Sequence, residues 1–497
     1  MSQYQILIKV KNARIKAIII VLLFVIMVIA QVGCKKLVEA PSPNNSLTSD
    51  NVYTSDATAA AVLTGLYTLI SLPDPKNGLS INSISLTSAL SSDEMTLYGG
   101  AGNANSTLVQ FYLNRLSPGL STSAGGNIWS DLYGRIYTVN LALERLGISN
   151  SLTPSVKQQL TGEAKFLRAF FYFYLVNLYG DVPLTTTSDY NINAVLGRSL
   201  KSLVFQQIIA DLKDAQNLLR DEYVAADAKS STAERVRPNK WAATALLSRA
   251  YLYISEWAKA EAEATLIINN NSKYGLVPLN NVFLKNSNEA IWQLQPVNAG
   301  WNTEDARSFI LPSTGPTSNL TVSGFYPVYI SQQLLNSFEV NDLRKINWVG
   351  NVTINNTTYY YPYKYKSATL NSAVVEYLMV LRLGEQYLIR AEARAQQNNI
   401  SGSQTDLNAI RTRAGLPNTP AASQSTLLTA IQHERQIELL TEWGHRWLDL
   451  KRTGNIDGVM TTIVQVKNTT WSTNWQWYPI PAYEIMQDPN LIQNAGY

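Results

Sequence analysis

Cysteine is almost missing: Cys34 is the single one in 497 residues. No disulfide can form within the chain, so whatever it folds into is held by packing alone. Histidine is scarce as well. His433 and His445 stand twelve positions apart, not at the i, i+4 spacing that sets two metal ligands on one helical face. The sequence has no Gly-x-Ser-x-Gly elbow, no phosphate-binding loop and no cluster of metal-ligating residues, which removes the motif-borne routes to catalysis. A surplus of charge is lacking too. Of 40 basic side chains against 36 acidic, four (Lys9, Lys11, Arg14 and Lys16) fall in the first 33 residues, leaving 36 of each beyond them. The pI near 8.8 therefore belongs to the N-terminus, and the neutral remainder offers no phosphate-neutralising excess for nucleic acid. Long apolar runs are absent: the run from Ala17 to Ala30 falls short of the ~20 residues that cross a bilayer.

What is present near the N-terminus has an order to it. Basic residues precede the apolar run, and Gln31-Val32-Gly33-Cys34 closes it. That arrangement fits a bacterial lipoprotein signal, cleaved before a cysteine that is then acylated, although Val32 and Gln31 depart from its usual box. Residues 1–33 are thus expected to be a signal peptide. Residues 34–51, with Pro41, Pro43, Asn44, Asn45 and Ser46, are expected to be a tether carried by lipidated Cys34.

The remaining residues, roughly 460, suffice for one large domain or a few ordinary ones. Eleven Trp, 27 Tyr and 11 Phe supply much of the core. In Glu163 to Tyr179 the apolar positions 167, 170, 171, 174, 175 and 178 mark one helical face, with Gly180 as C-cap and Pro183 barring continuation. Tyr172 and Phe173 lie off that face, so the helix is expected to be covered on most sides. Trp241 to Asn269 looks like a tetratricopeptide unit: Leu247, Ser248, Ala250 and Tyr251 fit its core, Trp257 its aromatic turn and Ala260 its small position. A second pair is expected from Val380 to Thr412, broken at Gly402 and ending at Gly415 and Pro417, with a third helix from Thr426 to Thr441. Between these blocks, Ser308 to Phe338 carries no charged residue, and a long loop of that kind usually carries function. Asn351 to Lys366 reads as a hairpin turning at Asn355-Asn356.

Six segments, in order, resemble the SusD/RagB family of outer-membrane lipoproteins. They are EAKFLRAFFYFYLVNLYGDVPL at 163–184, RPNKWAATALLSRAYLY at 237–253, LRLGEQYLIRAEARA at 381–395, LNAIRTRAGLP at 407–417, ERQIELLTEWGHRWLDLKRTG at 434–454, and YPIPAYEIMQDPNLIQNAGY at 478–497. The resemblance implies a mainly α fold: a tetratricopeptide-like helical scaffold, with a loop-rich irregular part containing short strands. On this chain it implies one domain over 52–497, its helices mainly within 52–275 and 376–450 and its irregular ligand side mainly 276–375. It further implies a non-enzymatic, lipid-anchored protein of the outer-membrane surface that captures an oligomeric nutrient for a SusC-type TonB-dependent transporter, with no cofactor.

The family's ligand aromatics lie outside its fixed motifs, so candidate residues come from local reading. A neutral oligosaccharide needs aromatic faces for its C–H surfaces and polar groups for its hydroxyls. Tyr98 and Asn103 lie in LYGGAGNANS, just after Ser92-Asp93-Glu94, where the resemblance places the first ligand loop. Trp301 sits in the polar loop NAGWNTED, and Tyr326 and Tyr329 in the charge-free segment. Ordinary packing is the competing reading for each. Trp241, Trp257, Trp443 and Trp447 are expected in the core. Trp471, Trp475 and Trp477 are read as structural, the last two sharing one face of an extended segment. Glu434, Glu438 and Glu442 recur every four residues with Arg435 and Arg446 nearby. A solvated or ion-paired helix face explains them better than an acid–base pair. The leading reading is glycan capture. The alternatives are a peptide-capturing receptor of the RagB type and a surface scaffold that binds only protein.

Overall fold

Helices form where the 3.6-residue spacing is strongest and stop where a cap or a left-handed residue intervenes. In the computed structural model, residues 10–12, 14–22, 49–72, 81–119, 126–318 and 327–497 are described. Met1–Val52 and Tyr53–Tyr497 are separate compact units. In the first, residues 10–12, 14–22 and Ser49–Val52 are helical; Cys34 and most of the expected tether lie outside the described residues. No helix among those residues is long and apolar enough to cross a membrane.

The second unit is mainly α. It opens with α1 (Asp56–Ser71), α2 (Ile84–Ser91), the short strand β1 (Met95–Leu97) and α3 (Ser106–Tyr112). The first part of the scaffold follows as α4 (Gly126–Ile148), α5 (Pro154–Tyr179), α6 (Lys201–Leu218), α7 (Lys240–Tyr253) and α8 (Trp257–Ile268). An irregular stretch holds β2 (Ala290–Leu294), α9 (Glu304–Phe309), β3 (Val328–Ile330), α10 (Gln332–Ser337), α11 (Leu343–Trp348), β4 (Val349–Ile354), β5 (Thr357–Pro362) and β6 (Leu378–Arg382). The scaffold then resumes with α12 (Leu383–Gln396), α13 (Ile400–Arg413), α14 (Gln424–Glu438), α15 (His445–Arg452) and α16 (Ile456–Val466).

Scaffold helices pack in sequence: α4 on α5, α5 on α6, α6 on α7, α7 on α8, α8 on α12, and α12 on α13 and α14. Pro154 starts α5, and Gly180, at φ 79, ends it, as a residue without Cβ can. From Ala164 to Tyr179 almost every α5 side chain is buried, Tyr172 and Phe173 included. Trp292 of β2 receives Phe166 and Phe170 edge-on at 5.0 and 5.3 Å, and Trp443 meets Phe170 at 5.6 Å. Each such ring contributes about 1.5–3 kcal/mol by burial alone. The α12–α14 junction is aliphatic, built on Leu388, Ala391, Ala395, Leu407, Ile410, Leu427 and Ile431, where alanines let the helix axes approach. Buried guanidinium–carboxylate pairs cross the junctions: Arg168–Asp211 between α5 and α6 at 2.7 Å, Arg249–Glu385 between α7 and α12 at 2.6 Å, and Arg390–Asp406 between α12 and α13 at 2.7 Å.

Several sequence expectations are corrected. Gly402 does not break its helix pair; it lies inside α13. The break is at Asn398, whose φ is 61, and Asn399, whose Oδ1 accepts the Gly402 N–H at 3.0 Å. A Cβ on Gly402 would meet that capping amide at 2.7 Å, so the glycine makes room for the cap. Trp443 and Trp447 are core, but Trp241 and Trp257 are only half-buried, because they open α7 and α8 at helix ends. Trp475 lies in a 3-10 turn, Thr473–Gln476, rather than on an extended segment. Trp477 packs on Gly180 with Lys451 over its ring at 3.9 Å. The hairpin is as read: β4 pairs antiparallel with β5, and Asn355 and Asn356 turn it at φ 48 and 65, the primed geometry that suits strand twist.

Candidate ligand-binding site

The charge-free segment and the first loop meet through one small sheet. β1 pairs antiparallel with β3, Thr96 opposite Tyr329, and the Tyr98 N–H extends the ladder to the Pro327 carbonyl at 2.7 Å. β5 packs against β3. Because side chains alternate along a strand, Tyr359 and Tyr361 share a face of β5. Tyr359 stands edge-on to Tyr98 at 6.0 Å and 74°, and to Tyr329 at 5.1 Å and 78°. All three rings are half-exposed. Burial, with Tyr359 and Tyr98 beside it, pushes the Tyr329 hydroxyl above its ordinary value. Tyr361 continues the row, lying over Gly350, where a Cβ would come within 2.4 Å of its ring.

Tyr98 is set by its loop. Gly99 and Gly100 take φ 78 and 53, conformations costly for any residue with a Cβ. Asn103 was expected to face ligand, and the structure uses it otherwise. It is buried, its Nδ2 donates to the Tyr98 carbonyl at 2.7 Å, and its Oδ1 accepts the Asn105 N–H at 2.8 Å. It is a staple of the loop that carries Tyr98. Asn105 in turn caps α3.

Trp301 is half-buried beneath the Arg307 guanidinium, 4.5 Å from its ring centre, and Glu304 holds that guanidinium at 2.6 Å. Among the described residues no ring contact joins Trp301 to the tyrosines. Tyr326 lies outside the described residues. Tyr359 is the residue that sequence reasoning missed. The alternation in Thr-Tyr-Tyr-Tyr-Pro-Tyr was the available signal, but it was absorbed by the hairpin.

The carboxylate row Glu434, Glu438 and Glu442, read as a solvated or ion-paired face, is ion-paired and buried. Arg382 binds Glu289, Glu438 and Glu442 at 2.8, 2.7 and 2.8 Å. Arg344 binds Glu434 at 2.5 Å and Glu438 at 3.1 Å, and Lys364 binds Glu442 at 2.5 Å. Burial opposes charge on Glu438, yet Arg413, Arg382 and Arg344 hold its carboxyl well below the usual range. Burial, then Arg249 and Arg435, push His445 well below 6.5, which leaves it neutral. His433 donates from Nε2 to the Ser337 carbonyl at 2.7 Å. These groups are committed to one another as structure.

A family model described as "SusD family" matches residues 348–497, and one described as "Starch-binding associating with outer membrane" matches residues 89–252. The chain belongs to the SusD/RagB family. Tyr98 falls within the second match and Tyr359 within the first. Like this SusD-family chain, SusD-like protein P2 of Formosa agariphila carries the whole length: it is 24% identical, over 95% of this chain and 99% of its own. A SusD superfamily protein from Bacteroides vulgatus superposes with a TM-score of 0.75 at 21% identity, over 89% of this chain and 99% of that one. A laminarin-binding SusD-like protein superposes at 0.70 and 24%, over 88% and 99%. At such identities the structural likeness speaks for the fold.

Proposed function

We propose that the protein captures a glycan chain at the cell surface on the Tyr98–Tyr329–Tyr359 cluster and delivers it to a SusC-type TonB-dependent transporter, with Cys34 as its lipid anchor on the outer membrane. The observation that carries this reading is the convergence of three half-exposed tyrosines from a glycine-supported loop, β3 and β5. Rings presented in this way offer faces to sugar C–H groups and hydroxyls to sugar oxygens. That a structural neighbour is named for laminarin binding and another, from Bacteroides uniformis, as a surface glycan-binding protein supports the ligand class. Trp301, with its ring already covered on one side by Arg307, is a secondary contact in this reading, and Tyr326 belongs to the same charge-free segment as Tyr329. In this reading the protein binds without catalysing, and its clustered carboxylates serve as structure, paired with guanidinium and ammonium groups.

The test is affinity electrophoresis and calorimetry of the purified protein against plant, host and microbial polysaccharides, with a parallel set of peptides. Binding to a polysaccharide that is lost in Tyr98→Ala and Tyr359→Ala supports the proposal. Binding to peptides alone would move the protein to peptide capture, and binding to neither would leave the scaffold reading.

A further inference from the structure

The loop that presents Tyr98 leaves α2 at Ser92 and returns at Tyr112, the last residue of α3. Both ends of that loop meet one side chain from the far end of the chain. Lys467, the C-cap of α16, points its ammonium into the end of α2 and donates to the carbonyls of Leu90 at 2.6 Å, Ser92 at 2.8 Å and Ser91 at 3.4 Å. The same nitrogen lies 5.1 Å from the centre of the Tyr112 ring. The protonated form is favoured at the carbonyl end of a helix and over an aromatic face, while burial, with the side chain only 6% exposed, lowers its pKa from 10.5 to about 7, partly offset by Asp93.

Neighbouring bonds repeat the pattern. Asn114, at φ 53, donates from Nδ2 to the Ser91 carbonyl at 2.9 Å. Thr469 donates to the Leu113 carbonyl at 3.3 Å, and Arg115 to Thr470 at 3.1 Å. Residues 467–470 therefore close the loop at its base, while nothing in them reaches the tyrosine cluster itself.

We infer that Lys467 is a positioning residue for the ligand surface: it fastens the two ends of the 95–112 segment together and so fixes where Tyr98 stands against Tyr359. This rests on the reading of Tyr98 as a ligand contact. The groups facing the ammonium are the three carbonyls, the Tyr112 ring and, as the nearest opposite charge, Asp93. Asp93 is itself held by Arg446 at 2.6 Å. Pinning both ends of a segment removes most of the freedom its tip would otherwise sample, whereas a loop tied at one end opens locally at little cost to the rest of the fold.

The test needs no ligand, so its failure is distinguishable from a failure of the glycan reading. Amide hydrogen exchange of the full chain is compared between the wild type and Lys467→Met, together with fluorine NMR of fluorotyrosine incorporated at Tyr98. Loss of the hydrogen bonds from the Lys467 nitrogen to the end of α2 should speed exchange in 95–112 about tenfold or more. Exchange in α5 and α12 should be unchanged, and the Tyr98 resonance should broaden or shift. Asn114→Gly, which keeps the positive φ and removes one bond to Ser91, should give the same pattern more weakly, and it decides the matter if Lys467→Met does not fold. Faster exchange limited to α16, or spread evenly over the protein, with the Tyr98 resonance unmoved, would overturn the inference and leave Lys467 as an anchor of α16 alone.

Discussion

Tyr359 meets Tyr98 edge to face at 6.0 Å, although one ring comes from a hairpin strand and the other from a loop near the start of the folded unit. Each ring orients the other, so neither is expected to act alone. Tyr98→Ala and Tyr359→Ala should each weaken polysaccharide binding about tenfold or more. The double variant should lose less than the product of the two, because one shared contact is removed twice. Calorimetry with the polysaccharide that the wild type binds measures all three. A product of independent effects would show that the rings contact ligand separately.

Arg382 neutralises Glu289, Glu438 and Glu442 within 3 Å and is 1% exposed. Replacing it by methionine roughly keeps the volume and takes one cation out of the interior, leaving Glu289 to Arg413, Glu438 to Arg413 and Arg344, and Glu442 to Lys364. Removing one partner of a buried charge network costs about 3–5 kcal/mol, so Arg382→Met should lower the urea midpoint far more than a surface Arg→Met change. Chemical denaturation checks this, and a loss under about 1 kcal/mol would mean that the network is solvated in solution.

The scaffold was legible because its helices carry their own signals. Pro154, Gly180 and the apolar spacing of α5 are local facts, and so is the Asn355-Asn356 turn. The site was only partly legible, for a physical reason. Tyr98, Tyr329 and Tyr359 become neighbours through β1–β3 pairing and through β5 packing on β3, and nothing in three-residue strands announces a partner so distant in sequence. Asn103 has the composition of a ligand residue and the environment of a loop staple. Trp301 shows the same limit, since the guanidinium of Arg307, six residues further on in α9, covers its ring. Gly402 misled in the other direction: its usual role as a helix breaker yielded to the cap that Asn399 builds over it.

Glu94 lies between the sheet and the scaffold, accepting the Thr441 N–H at 3.0 Å. Burial raises its carboxyl from 4.5 to about 7, a rise that this hydrogen bond only partly offsets. Across that window the unfolded chain has lost a proton that the folded protein still holds. The associated stability is fully present below pH 4.5 and is lost as pH rises through 7. Glu94→Gln keeps an acceptor for Thr441 and has nothing to ionise. Its stability relative to the wild type should therefore grow with pH through this window and level off at about 3 kcal/mol. Urea titrations at a series of pH values test it, and parallel curves for the two proteins would refute it.

Cys34 is proposed as the attachment point of the lipid, on the strength of the basic, apolar and small-residue order that precedes it. In sequence it precedes Tyr53–Tyr497, the unit that holds the helical scaffold and the tyrosine cluster. Cys34→Ala should abolish labelling by a fatty-acid analogue and move the protein from the outer-membrane fraction to the soluble one. Its thermal midpoint should stay that of the wild type. The strain used must lack the proposed SusC-type transporter, because a barrel bound to the protein would hold the variant at the membrane without any lipid. Retention in the membrane fraction of that strain would transfer the anchoring role to the apolar run from Ala17 to Ala30, uncleaved.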